Sequence, residues 1–267
     1  MPEKRNRGRP RSFNDKTEQN TINSLDRAMM ILEALAQAGG GTLTELATGL
    51  EQSPSTAYRV LTTLESRGIV ELDTQQQTWH VGPGAFRIGS AFLRRTNLAE
   101  RARPIMQELM ETTGETANLG IENGDSVLFV SQVETHASIR AFFPPGTKSP
   151  LHASGIGKAL LAHKSATRIE TFVEAGLEAF TSRTLTEPSD LSENLATIRK
   201  RGFSVDDEER NDGMRCVAAA VFNATGQAVA GLSISGPSAR VTPDRIDDLG
   251  QRVRTAAITL SERLGYT

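Results

Sequence analysis

Residues 53–68 read Ser53-Pro54-Ser55-Thr56-Ala57-Tyr58-Arg59-Val60-Leu61-Thr62-Thr63-Leu64-Glu65-Ser66-Arg67-Gly68, and the run has two faces. Ala57, Val60, Leu61 and Leu64 recur at helical spacing, the buried stripe of an amphipathic helix. Ser53 is of an N-cap type, Pro54 takes the first helical position, where a missing N–H costs nothing, and Gly68 is placed to end the run. The opposite face carries Ser55, Tyr58, Arg59 and Thr62, with Thr56 at its edge. A merely solvated helix would more often show Glu and Lys. Short hydroxyls, a phenol and a guanidinium can reach base edges and phosphates.

Upstream, Thr42 with Glu45 three residues on has the spacing of a capping box, and Leu43, Leu46, Ala47 and Leu50 give that helix its apolar side. From Ser24 a further helix places Leu25, Ala28, Met29, Leu32 and Leu35 on one face until Gly39-Gly40-Gly41 stops it. Downstream, two β-prone pieces, Ile69–Leu72 and Thr78–Val81, flank the polar turn Asp73–Gln77. Three helices and a hairpin in about 60 residues predict a winged helix-turn-helix domain over 23–82.

Residues 83–113 keep a helical pattern and are expected to form linker helices. Beyond Gly114 strand-like runs appear at Ala117–Ile121, Val127–Val133, Ile139–Phe143, Phe203–Asp206, Arg215–Phe222 and Val229–Ser235. Helices are expected after Ser154, over 166–175 and 189–201, and from Thr242 as N-cap to Leu264. Short turns such as Asn123-Gly124-Asp125 favour antiparallel pairing. The expected class is therefore α+β, with a central antiparallel sheet and packed helices over 114–267.

The chain's net charge of −2 is unevenly placed. The first eleven residues hold five cations and one anion, whereas residues 25–80 hold three cations and seven anions. Residues 1–22 have no apolar period and are expected to form a disordered basic arm. A single cysteine, Cys216, rules out a disulfide framework and a cysteine-based zinc site, and it fits a reducing, cytoplasmic compartment. No run of 18 apolar residues exists and the polar start gives no secretory signal, so no membrane partner is expected.

Catalytic motifs fail on inspection. Gly155-Ile156-Gly157-Lys158 is followed by Ala159 where a phosphate-binding loop needs Ser or Thr. Ser154 lacks the glycine two residues before it that a nucleophile elbow requires, and the four histidines have no metal-ligand spacing. No catalytic residue, metal or cofactor is expected. An enzyme acting on a small oxo acid and a signalling module whose amino domain binds protein remain the competing readings. The arm's charge, suited to a polyanion, argues against the second.

Several blocks in order resemble the IclR-type bacterial transcription regulators. The amino half carries Leu46-Ala47, Gly49-Leu50, Ser55-Thr56, Tyr58-Arg59, Leu61, Leu64 and Arg67-Gly68. The carboxyl half carries Leu151-His152-Ala153-Ser154-Gly155-Ile156-Gly157-Lys158-Ala159, then Gly202-Phe203-Ser204-Val205-Asp206-Asp207-Glu208-Glu209. Gly213-Met214-Arg215-Cys216-Val217-Ala218 and Ser233-Ile234-Ser235-Gly236-Pro237 complete it, so the likeness spans about residues 24–265. The resemblance implies a GAF-like effector-binding domain after the linker, and a homodimer or dimer of dimers on double-stranded operator DNA. The blocks around Cys216 and Ser233 resemble the subgroup that senses glyoxylate or pyruvate, which implies control of glyoxylate assimilation, with the β-hydroxyaspartate cycle as the candidate route.

The DNA-binding candidates are then Ser53, Ser55, Thr56, Tyr58, Arg59 and Thr62. Arg59 suits a guanine edge or a phosphate, while the Tyr58 ring has the alternative of packing beside its helix. The effector candidates are Ser154, Gly155 and Ile156 at a helix start, Ser233 and Ser235 two apart on a strand, and, by resemblance, Asp206 and Cys216. Asp207 replaces Asp206 if the register is off by one; Met214 and Leu232 are expected as aliphatic neighbours. Asp206 would accept a hydrogen bond from a hydrated carbonyl or be protonated itself. In the arm, Arg7-Gly8-Arg9-Pro10 is the core of a minor-groove hook, or else part of a generic basic tail.

Five arm cations against phosphate would contribute a log–log salt slope of roughly −4 to −5 per engaged arm. Deleting residues 1–11 is expected to weaken DNA binding chiefly at moderate salt and to flatten that dependence. An unchanged slope in the shortened protein would refute this.

Overall fold

The computed structural model describes residues 22–96 and 98–267. The arm, with Arg7 and Arg9, lies outside the described residues. The chain separates into two compact units, divided between Arg94 and Arg95.

The first unit contains α1 (Asn23–Ala38), β1 (Gly41–Thr42), α2 (Leu43–Gly49), α3 (Pro54–Glu65), β2 (Val70–Asp73) and β3 (Thr78–Val81), and α4 (Pro83–Thr96) begins in it. Ile31 and Leu35 of α1, Leu46 and Ala47 of α2, Ala57 and Leu61 of α3, and Trp79 of β3 form one apolar core. The capping box is present: Glu45 N–H donates to Thr42 Oγ1 at 3.3 Å and Thr42 N–H to Glu45 Oε2 at 2.8 Å. Ser53 caps α3 by accepting from Thr56 N–H at 3.2 Å. The turn between α2 and α3 puts Glu51 in the left-handed region at φ 51°, a place that composition does not announce. β1, also unannounced, pairs with β3 to make a three-stranded sheet in the order β1-β3-β2.

The second unit opens with α5 (Leu98–Thr113), β4 (Thr116–Asn123), β5 (Ser126–Val133) and β6 (Lys148–Pro150). It continues with α6 (Gly155–Leu161), α7 (Ala166–Glu174), α8 (Pro188–Arg201), β7 (Ser204–Asp207), β8 (Met214–Phe222), β9 (Ala228–Pro237) and α9 (Ile246–Arg263). All six strands pair antiparallel in the order β6-β5-β4-β9-β8-β7. One face packs Ala218, Ala220, Val127 and Phe129 against α6 and, behind it, Leu191, Leu195 and Ile198 of α8. The alternate residues Val217, Ala219 and Val221 are equally buried, beside α5 and α9, which also pack on the sheet. Alternation across a doubly covered sheet gives near-continuous apolar strands.

Two expectations are corrected. Ile139–Phe143 is not a strand: it runs irregularly, with Ile139 and Phe142 exposed, because β6 takes the edge of β5 and leaves this apolar stretch no ladder. Its Ala141 carbonyl is satisfied by Thr116 Oγ1 at 3.2 Å instead. The final helix does not start at Pro243; Pro243–Arg245 form a 3-10 turn before α9 begins at Ile246. Among the described residues no helix is long and apolar enough to cross a membrane.

Trp79 is the chain's single tryptophan and is buried in the first unit, so its fluorescence reports that unit's unfolding. Thr42→Ala removes the hydroxyl that accepts from Glu45 N–H while leaving the residue-42 N–H to Glu45 Oε2, and is expected to cost about 1 kcal/mol, read as a lower urea midpoint of the Trp79 signal. Thr42→Ser should retain most of it.

Candidate nucleic-acid interface and effector pocket

On α3 the polar face is turned to solvent. Ser53, Ser55 and Arg59 are exposed, Tyr58 is 53% exposed, and Thr56 and Thr62 are half-buried. The Tyr58 ring is therefore not packed away beside its helix. Ser53 Oγ lies 3.1 Å from Ser55 Oγ and donates to Thr56 Oγ1 at 2.9 Å, a cluster of short hydroxyls at the exposed start of the helix. Thr62 differs from the others: its hydroxyl donates to the Tyr58 carbonyl at 3.0 Å, so only its acceptor capacity is left for a partner. In the hairpin, Asp73 Oδ1 accepts from the amides of Gln75 and Gln76 at 2.8 and 3.1 Å, which shapes the exposed turn between β2 and β3.

In the second unit, Ser154, Gly155, Ile156, Asp206, Cys216, Ser233 and Ser235 all line one cavity. Strand pairing produces this convergence. Asp206 of β7 lies opposite Cys216 of β8, which lies opposite Ser235 of β9, so the three share one face. α6 seats on that face, and Ser154 caps it by accepting from Gly157 N–H at 3.1 Å while donating to the Pro150 carbonyl at 2.9 Å. The Ser154 hydroxyl is thus occupied by the helix. The amides of Gly155 and Ile156, at its first two positions, have no preceding carbonyl within the helix to bond. At Gly155 a Cβ would stand 2.8 Å from Cys216 Sγ, so only glycine brings the backbone this near the thiol.

The register favours Asp206 over Asp207. Asp207 turns away to Arg215, whose Nε is 2.7 Å from its Oδ1. Met214 lines the cavity as expected, but Leu232 does not: alternation puts it on the opposite face of β9 from Ser233, fully buried. The reading also missed Phe129 and Phe143, stacked with centroids 5.1 Å apart on one wall, and Arg210, which lines the cavity within the acidic run 206–212. Arg210 has no ion pair among the described residues and lies over the Phe180 ring, 4.0 Å from its centroid. Asn118, opposite Ser233 on β4, donates to Ser235 Oγ at 3.2 Å, and the hydroxyls of Ser233 and Ser235 have the Cys216 thiol as a hydrogen-bond partner. The centre of a water molecule has about 20 Å³ in which to move in this cavity, a space suited to a small polar ligand.

Burial, reinforced by the charge of Glu209, pushes the Asp206 carboxyl up to about 7, against the opposing pull of Lys158 and the amides of Glu209 and Arg210. Burial, then the charge of Asp206, pushes the Cys216 thiol up to about 11, so it stays protonated and is no nucleophile at neutral pH.

A surface helix bearing hydroxyls, tyrosine and arginine in one unit, and a narrow polar cavity in the other, define a ligand-cavity protein with a DNA-reading helix-turn-helix. The comparisons agree on the class. The model of the IclR helix-turn-helix domain matches residues 24–74, and that of the bacterial transcriptional regulator IclR C-terminal matches 90–262. This chain belongs to the IclR family and is a DNA-binding transcriptional regulator, not an enzyme. It is 55% identical over 261 residues to the HTH-type transcriptional regulator BhcR of Paracoccus denitrificans, covering 96% of this chain and 94% of that one. It is 39% identical to the HTH-type transcriptional repressor AllR of Klebsiella pneumoniae, covering 99% and 98%. The crystal structure of the Thermotoga maritima IclR superposes with a TM-score of 0.78 at 31% identity, over 92% of this chain and 100% of that one.

An Asp206 raised to about 7 makes stability depend on pH. The unfolded carboxyl ionises near its ordinary value, so between about pH 4 and 7 the folded protein holds the extra proton. The contribution is full at low pH and is lost as pH rises through about 7. Asp206→Asn is therefore expected to raise the melting temperature, with a gain that grows from pH 5 to 8 and then levels off in thermal scans. A gain independent of pH would contradict the assignment.

Proposed function

We propose that this protein is an effector-responsive regulator of a metabolic operon that reads duplex DNA with α3 and binds a small 2-oxo acid, glyoxylate, in the cavity under α6. The observation that carries the reading is the cavity itself, small and lined by anion donors and hydroxyls. A carboxylate would take the amide of Ile156 and that of Gly155, which it would share with the Cys216 thiol, favoured by the helix dipole, with Arg210 as countercharge. Ser233 and Ser235 would donate to the carbonyl or its hydrate. Asp206, held near neutrality, would accept from a hydrate hydroxyl or donate its own proton. The neutral Cys216 would serve as a small wall group. At the DNA, the Ser53–Ser55–Thr56 hydroxyls would hold phosphate while Tyr58 and Arg59 enter the major groove.

The protein would act in the cytoplasm as a homodimer or dimer of dimers. Exposed Phe86 and Ile88 on α4, and Leu25 and Met29 on α1, offer apolar area for a second copy.

The test is a mobility-shift assay on DNA upstream of the protein's own gene, titrated with sodium glyoxylate, pyruvate and benzoate. Retardation should weaken about tenfold with Arg59→Ala, respond to glyoxylate, and ignore benzoate. A response to benzoate alone would overturn the ligand, and no retardation of any promoter fragment would overturn the DNA role of α3.

A further inference from the structure

Outside the cavity lining, a charged pair lies between two of its walls. Lys158, on α6, is wholly buried; its Nζ donates to the Val205 carbonyl at 2.6 Å and to Glu209 Oε1. Glu209 is 4% exposed, and its Oε2 has no partner among the described residues. The same residue's N–H donates to Asp206 Oδ1 at 2.8 Å, so its backbone aims the pocket carboxylate. Lys158 thus joins the helix that presents the Gly155 and Ile156 amides to the loop that presents Asp206 and Arg210.

Energetics say what such a pair is good for. Taking two charges out of water costs several kcal/mol per ion, and an apolar pair of similar volume often stabilises a protein at least as well. A buried ion pair has little to offer as glue, but its contact distance is short and fixed. The loop is held independently elsewhere: Thr184 Oγ1 donates to the Glu209 carbonyl at 2.6 Å, and Thr181 Oγ1 to the Glu208 carbonyl at 2.7 Å. The domain therefore has means to stay folded without the pair; between α6 and the far end of β7, beyond the Ser204 Oγ bond to the Gly155 carbonyl at 2.6 Å, the pair is the charged tie.

We propose that Lys158 and Glu209 are positioning residues for the effector, their buried ion pair setting the width of the cavity by holding the start of α6 against the loop that carries Asp206 and Arg210. The ligand part rests on the function proposed above; the spacing part does not.

The test uses the full chain and its single cysteine, Cys216, which lines the cavity and reports its opening. Two variants are compared with wild type, Glu209→Gln, which keeps the shape, and Lys158→Met with Glu209→Leu, which makes the pair apolar. Melting temperature, the rate of Cys216 alkylation by iodoacetamide, and the affinity for sodium glyoxylate are measured. Both variants should stay folded, alkylate about tenfold faster or more, and bind glyoxylate about tenfold more weakly, as expected when a supporting shell is loosened. Wild-type alkylation in a folded variant overturns the proposal. Unfolding of both variants overturns it too, since the pair would then hold the whole domain. If wild-type protein ignores glyoxylate, the proposed function fails while the alkylation rates still judge the pair.

Discussion

A methyl group at Gly157 would stand 2.2 Å from the Leu151 carbonyl oxygen and 2.5 Å from its Cα. α6 can therefore begin where it does only if that position carries no side chain. From this contact the rest of the second unit's site follows. The helix start lies against the sheet, its first amides face the row Asp206, Cys216 and Ser235, and Ser204 Oγ ties the Gly155 carbonyl down at 2.6 Å. The polar row would be costly beneath an ordinary apolar helix. Beneath one whose first N–H groups have no partner within the helix, it has partners, as the Gly155 amide has in the Cys216 thiol.

Most of this was legible in the residues because local rules and tertiary demands agree. The third helix announced itself through cap, proline, stripe and terminator, and the structure reproduces it from Pro54 to Glu65. The serine pair at 233 and 235 was legible through period-two alternation, and the same rule, applied consistently, would have excluded Leu232. What was not legible depended on distant partners. Ile139–Phe143 has strand composition but no free edge to join, and Glu51 adopts a left-handed turn that no glycine signals. Lys158 stands out in the sequence only as the lysine of a phosphate-loop pattern that Ala159 breaks. Only the fold brings Glu209 against it from fifty-one positions away.

The loop 206–211 concentrates opposite demands in few residues. Asp206 faces the cavity, Asp207 faces Arg215 and Arg183, Glu208 takes φ 63°, and Glu209 turns inward to Lys158. Four acidic side chains in succession would repel one another on a regular strand. Here the left-handed residue breaks the alternation: Asp207 and Glu208 share Arg183 and Arg215 while Glu209 goes to Lys158, and among the described residues Arg210 has no acidic partner.

A carboxyl poised near neutrality beside a site for an anion has a thermodynamic corollary under the proposed function. Admitting the metabolite's negative charge favours retention of the Asp206 proton, so the complex formed is equivalent to capture of the undissociated acid, although that species is scarce in solution. Above about pH 7, where Asp206 of the unliganded protein is ionised, such a sensor would answer to the product of metabolite concentration and hydrogen-ion activity. A cell acidified by its own accumulating organic acids would then cross the regulatory threshold at a lower metabolite level than one held alkaline.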